Sequence, residues 1–348
     1  MNDLTINLGK SKEGNVILDF GKTANRHIAI VGGTGRGKSV AGQKCVKDIT
    51  ANGQTSVVFD FHNLFSTENI FPEYRDEIVK MTHEVNVYAN GISLPIFTPL
   101  PRVNGSTEDM LDVTTAIADV FCNTLSLGAR QRECLIDAVT YVGEENMYAT
   151  HGIQAVGRAL EMADDERAAA IYTRLRYAFK RNLFVDGPLF IEPGKINVLR
   201  LSSLSDSVQI LTIEIVLNYF WRLANAGAFM EKGLCLFLDE CQNLKWGKGG
   251  IMQLIMTEGR RLGLQLVMVT QSVRNARSVM ANGMLQAATQ MYFAPPSQEV
   301  VTIAKLIAAK NTMFWQMKLK SLCVGECVAT GVFQINGSQY AGAVKLQI

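Results

Sequence analysis

Eight consecutive residues, Gly32-Gly33-Thr34-Gly35-Arg36-Gly37-Lys38-Ser39, fit the pattern G-x-x-x-x-G-K-[ST]. This pattern constrains its flanks as well, because it acts only as the turn between a buried strand and a helix. Both flanks agree. His27-Ile28-Ala29-Ile30-Val31 is a short apolar, β-branched run that reads as a strand. Val40, Ala41, Cys45, Val46 and Ile49 recur at helical spacing, and Gly53 is placed to end the helix. Residues without side chains let backbone N–H groups turn toward phosphate oxygens, and the helix dipole adds positive potential. The candidate nucleotide-binding residues are Gly32, Gly33, Thr34, Gly35, Arg36, Gly37, Lys38, Ser39 and Val40. Lys38 would reach the β- and γ-phosphates, and the Ser39 hydroxyl would ligate Mg²⁺.

The chain has 348 residues, 48% of them hydrophobic and 19% charged, enough apolar material for one large domain with insertions or two modest ones. A net charge of +2 gives no global field for nucleic acid, so any DNA contact must come from local basic loops. The seven cysteines form neither a C-x-x-C pair nor a metal spacing with histidine, which suits a reducing compartment. No signal peptide is recognisable at the N-terminus. The long apolar stretch from Val208 to Phe229 is broken by Gln209, Glu214, Asn218 and Arg222, so it reads as a buried helix. These features predict a cytoplasmic protein without direct membrane insertion, any membrane link being made by a partner.

Strand and helix patterns alternate along most of the chain. Residues 1–22 read as a β-hairpin turning at Gly14-Asn15, and 23–105 as the first part of a P-loop core. Within that part, Ser56–Asp60 and Val85–Tyr88 read as strands. Residues 106–185 turn helical, with Ser106 as the first cap and Leu111, Val113, Ile117, Val120 and Phe121 on one face. This block is either an insertion or part of the crossover helices. Residues 186–348 resume the α/β pattern and end in a β-rich tail with turns at Gly325 and Asn336-Gly337. The expected class is α/β: a RecA-like P-loop NTPase core with a mainly parallel sheet, a helical insertion and short β elements at both termini.

Hydrolysis needs a carboxylate-bearing strand beside the phosphate loop. Leu234-Cys235-Leu236-Phe237-Leu238-Asp239-Glu240 supplies five apolar residues followed by two acids. Asp239 would hold Mg²⁺ through water, and Glu240 would polarise the attacking water as general base. A second apolar strand, Leu264–Thr270, ends at Gln271, which is either a sensor of the γ-phosphate or a strand-capping amide. Arg260 and Arg261 precede that strand. They are either dipole-favoured surface charges or groups that reach a neighbouring subunit's nucleotide.

Taken with the stretches Gly259–Gly263 and Val269–Gln271, these motifs resemble the HerA/FtsK superfamily of ring-shaped P-loop ATPases. Weaker echoes are Val57–Asp60, Asn197–Ser202 and Leu322–Val328. The resemblance implies ATP and Mg²⁺ as cofactors and a homo-hexamer with nucleotide between subunits. It also implies Gln271 as sensor and an arginine finger in trans, with Arg260 the first choice and Arg261 the second. Arg36 departs from the small serine usual in the family, and Asp239–Leu244 looks closer to conjugative coupling ATPases. Little sequence precedes the core, so neither a family-type N-terminal barrel nor the FtsK membrane anchor is expected.

Two loops carry candidate DNA-binding residues: Lys245, Trp246 and Lys248 after the acidic strand, and Arg274 and Arg277 after Gln271. Around a ring they would line a pore, lysines meeting phosphates and Trp246 stacking or wedging; the alternative is two solvated surface turns. The leading expectation is an ATP-hydrolysing hexameric motor that translocates double-stranded DNA without reading sequence. A type IV secretion or conjugation ATPase moving DNA or protein stands beside it. A reading of another class is a nucleotide-switched scaffold that assembles a nuclease or effector, with slow turnover indifferent to DNA.

Overall fold

The computed structural model describes residues 4–102, 105–247, 250–273 and 282–348. It contains two compact units: Met1–His83 with Glu192–Val198 and Phe229–Ile348, and Glu84–Ile191 with Leu199–Ala228.

Apolar runs dictate the central strands. In chain order the strands are β1 (Thr5–Ser11), β2 (Gly14–Asp19), β3 (Ile28–Val31), β4 (Thr55–Asp60) and β5 (Thr82–Asn86). A short parallel pair in the second unit is β6 (Ile92–Ser93) with β7 (Phe184–Val185). Then come β8 (Ile196–Arg200), β9 (Leu234–Leu238), β10 (Leu264–Thr270), β11 (Thr289–Phe293), β12 (Glu326–Ile335) and β13 (Ser338–Gln347). The main sheet runs β13-β1-β2-β12-β11-β3-β10-β9-β4-β8-β5. Its centre is parallel throughout, from β11 through β3, β10 and β9 to β4. Every residue of β3, β4, β9 and β10 is buried, as unbroken apolar strands covered on both faces should be. The fold is α/β with a mainly parallel sheet, as the motifs require.

The helix Lys38–Ala51 buries Ala41, Cys45, Val46 and Ile49 in the core that includes Ile28, Ile30, Phe237 and Val269. The tail is an antiparallel hairpin, β12 on β13, with β12 carried along β11. Its turn falls at Asn336-Gly337, the sequence that favours a tight hairpin. The N-terminal hairpin differs from its predicted form. Its turn is Lys12-Glu13, and Gly14 already belongs to β2, because the Ser11 hydroxyl donates to the Gly14 carbonyl and accepts from Glu13 N–H.

In the second unit, helices span Met110–Leu125, Ala129–Glu144, Gln154–Met162, Glu166–Arg181 and Asp206–Asn225. Three local expectations are corrected. The cap of the first is Asp109, not Ser106: Asp109 accepts from Asp112 N–H while the Asp112 carboxylate accepts from Asp109 N–H. Ser106 is held instead in a small loop, its carbonyl accepting from Arg102 N–H at 2.7 Å. Leu111, placed on the apolar face by periodicity, is 64% exposed. The stretch Val85–Tyr88 is split: β5 ends at Asn86, whose side chain accepts from Ala89 N–H and turns Val87–Asn90 into a helical turn.

Arg222, which interrupts the longest apolar stretch, is an internal anchor. It donates to the carbonyls of Ile96 and Thr98 and pairs with Glu108 at 2.6 Å. Burial pushes Glu108 up, but the bonds from Arg222 and Leu100 N–H outweigh it and hold the carboxyl below its usual range. Among the described residues, no helix is long and apolar enough to cross a membrane.

Candidate active site

Parallel pairing brings the ends of β3, β10 and β9 to one edge. Thr270 pairs with Val31, and Met268 with Leu238. The phosphate loop therefore leaves β3 beside the point where Gln271 leaves β10 and Asp239-Glu240 leave β9, the edge at which open α/β sheets bind ligands. Gly32 N–H donates to the Thr270 carbonyl at 3.3 Å and Gly33 N–H to the Ala294 carbonyl at 3.0 Å, fixing the loop's entry. Its exit is held by the tail, where Gly325 N–H donates to the Arg36 carbonyl at 3.1 Å. The weak sequence echo around Gly325 thus lies against the phosphate loop. Arg36, Thr34, Gly35 and Ser39 are exposed, with Val40 half-buried behind them.

Lys38 is the loop's buried charge, 8% exposed, and its ammonium donates to the Gly33 carbonyl at 2.8 Å. Burial pulls its pKa down, while the nearby Asp239 and Glu240 favour its charged form. Burial, reinforced by Glu240, pushes Asp239 up to about 6. Two acids crowded beside a desolvated lysine form an arrangement that a divalent cation would relieve. No cluster of three or more His, Cys, Asp or Glu occurs among the described residues. The oxygens of Ser39 and Asp239 fit the sparse donor set of Mg²⁺, which keeps waters and substrate phosphates as its other ligands.

Glu240 adopts a left-handed backbone, φ 50°, ψ 39°. Its carboxylate accepts from Gln271 Nε2 at 2.6 Å and from Gln242 Nε2. Gln271 Oε1 in turn accepts from the Thr34 hydroxyl at 3.0 Å, so the phosphate loop, the β10 end and Glu240 are linked by side chains. Gln242 was not legible as a site residue. Its partner on the far side is Thr270, whose hydroxyl donates to Gln242 Oε1 at 2.8 Å, and that contact depends on the β9–β10 register. Glu299 was missed because its partners are distant in sequence: this buried carboxylate accepts from Val273 N–H at 3.0 Å and from the Ser272 hydroxyl, holding the chain just after Gln271. Asp60 caps its own loop, accepting from Leu64 and Phe65 N–H.

The arginines lie apart from this group. Arg260 is exposed and its guanidinium donates to the Ala24 carbonyl; Arg261 is exposed and 3.6 Å from Glu258. Of the basic-loop residues, Lys245 is half-buried. Lys248, Arg274 and Arg277 lie outside the described residues. Trp246 corrects its expected part as a ring that stacks on DNA: it is 6% exposed, and Nε1–H donates to the Cys241 carbonyl at 2.8 Å.

A family model described as helicase HerA, central domain, matches residues 6–220. The chain belongs to the HerA central-domain family. It is accordingly a P-loop ATPase. The match includes the phosphate loop, whereas Asp239, Glu240 and Gln271 lie beyond it and reach that loop through the sheet. Among solved structures, this HerA-type chain is similar to VirB4 of Thermoanaerobacter pseudethanolicus, with 19% identity and a TM-score of 0.70 over 99% of this chain and 96% of that one. It is also similar to the plasmid coupling protein TrwB in complex with ADP and Mg²⁺, with 14% identity and a TM-score of 0.58 over 92% and 85% of the two chains. These likenesses show a shared fold. No curated protein matches the HerA-type sequence.

Proposed function

We propose that the protein is an ATP-driven motor that assembles as a hexameric ring in the cytoplasm and translocates double-stranded DNA. The observation that carries this reading is the side-chain chain Thr34–Gln271–Glu240 beside Lys38. A slow nucleotide switch needs no carboxylate general base beside its phosphate loop. Here a carboxylate and an amide from two further strands converge on it, the equipment for turning ATP over.

Lys38 exchanges the Gly33 carbonyl for the β- and γ-phosphates, its desolvated ammonium gaining most from an anionic partner. Ser39 and Asp239 would hold Mg²⁺, which when bound neutralises charge between those phosphates. Gln271 turns its amide to the γ-phosphate and so reports its presence to β10. Glu240 takes the proton of the attacking water. Arg260, with Arg261 as the second choice, would leave its own subunit to stabilise phosphoryl charge on a neighbour's nucleotide. Lys245 and Lys248, with Arg274 and Arg277, would face the DNA backbone from the pore. The likeness to VirB4 and to a plasmid coupling protein, with the Asp239–Leu244 sequence, favours a second reading as a secretion or conjugation ATPase. A nuclease or a secretion partner would then set the pathway.

The test is steady-state ATP hydrolysis with and without long linear duplex DNA. Glu240→Gln should lose at least about a hundredfold in turnover while still binding ATP. Lys245→Ala combined with Lys248→Ala should keep basal turnover and lose the stimulation by duplex. Wild-type turnover indifferent to duplex would reject the DNA motor in favour of the secretion reading or of a scaffold awaiting its partner.

A further inference from the structure

Both oxygens of the Glu240 carboxylate are engaged by amides. Gln271 Nε2 donates to Oε1 at 2.6 Å, and Gln242 Nε2 donates to Oε2. A carboxylate only accepts, so each amide must turn its nitrogen inward and its oxygen outward. Each outward oxygen meets a threonine hydroxyl: Thr34 for Gln271 at 3.0 Å, Thr270 for Gln242 at 2.8 Å. The result is a symmetric brace with Glu240 at its centre.

Its two arms are anchored differently. Thr34 and Gln271 are exposed, and both stand at the phosphate loop, where a γ-phosphate competes for their donors. Thr270 is 1% exposed at the end of β10, and Gln242 lies in the single 3₁₀ turn Cys241–Asn243 directly after Glu240. The first arm yields to substrate; the second has no reason to.

We propose that Gln242 is a positioning residue for hydrolysis. It holds Oε2 of Glu240, so that when Gln271 turns to the γ-phosphate the carboxylate stays aimed and Oε1 becomes free. The attacking water then bonds the γ-phosphorus, its proton passes to Oε1, and the bond to the leaving ADP breaks. The left-handed backbone at Glu240 fixes where the side chain starts, and Gln242 fixes where it ends. This proposal rests on the reading of Glu240 as general base.

The experiment compares Gln242→Met, close in size but without a donor, with Thr270→Val, Glu240→Gln and the double variant Gln242→Met/Thr270→Val. Steady-state kcat and KM, the Kd of a fluorescent ATP analogue and the thermal midpoint are read for each. Gln242→Met should lose about tenfold in kcat with Kd and KM within about twofold of wild type. Thr270→Val should lose less, and the double variant no more than Gln242→Met alone, because both remove one arm. Wild-type kcat in Gln242→Met, or losses that multiply in the double variant, overturns the proposal. If Gln242→Met melts early, Thr270→Val and its kcat-to-Kd split decide alone. An active Glu240→Gln would instead overturn the general-base reading, a failure distinguishable from that of Gln242.

Discussion

Two loops, each combining glycines with two basic residues, leave the C-terminal ends of parallel strands in one sheet. Gly32–Lys38 follows β3, and Leu244–Gly250 comes shortly after β9. Their compositions are alike and their constructions opposite. The first turns its lysine inward, where Lys38 is 8% exposed against the Gly33 carbonyl. The second fills its interior: the Trp246 indole is tied to the Cys241 carbonyl and packs on Gly283, where an added Cβ would lie 2.7 Å from the ring. An anion site is made by leaving space that backbone N–H groups line; a packed loop is made by occupying it. What separates the two is neither glycine count nor a following helix, since helices begin at Lys38 and at Ile251, but the indole that fills the second loop.

The largest expected stability effect attacks the filled loop. Trp246→Ala removes a buried ring and leaves the Cys241 carbonyl only the longer bond from Leu244 N–H at 3.3 Å, which should cost about 3–5 kcal/mol in urea unfolding. A ring working in a pore would give the reverse pattern: unchanged stability with weaker stimulation by DNA. That outcome would undo the contrast between the loops.

The same contrast explains how far the sequence could be read. Strands β4, β9 and β10 were legible almost to the residue because both faces are buried, so apolarity is continuous and ends where the chain reaches solvent. The phosphate loop was legible because its function demands residue types at fixed spacing. Trp246 was not, since an indole among lysines and glycines has one composition whether it points in or out. Gln242 and Thr270 were silent because their meaning lies in cross-strand register. In the helical unit, periodicity gave the helices but not the rival for a cap, and Asp109 with Asp112 forms two bonds where Ser106 is engaged elsewhere.

A second test addresses the strand that launches the phosphate loop. His27 is 1% exposed, and its Nδ1 accepts from Leu266 N–H at 3.0 Å. Burial lowers its pKa from 6.5 to about 4. As pH falls below about 6.5 the unfolded chain takes up a proton that the folded one refuses until about 4, so the stability present above 6.5 is lost across that window. The loss from this group should reach about 3 kcal/mol. His27→Gln should therefore lose less stability than wild type between pH 7.5 and 4.5, as urea midpoints would read. An identical loss would mean that His27 charges freely and that the base of β3 is wet.

The smallest effect sharpens the comparison at single glycines. Gly37 has φ 105°, and a Cβ there would sit 3.2 Å from the backbone of Gly325. Gly247, in the filled loop, meets nothing within 4 Å and needs no left-handed backbone. Gly37→Ala should thus cost about 1–2 kcal/mol of stability and weaken ATP binding, since relief requires moving the loop or the tail that braces it. Gly247→Ala should lie within about 0.5 kcal/mol of wild type. Thermal melting of both, with titration of a fluorescent ATP analogue, reads the difference directly. Equal costs at the two positions would mean that the phosphate loop is no more constrained than its neighbour, and that its shape forms only around the nucleotide.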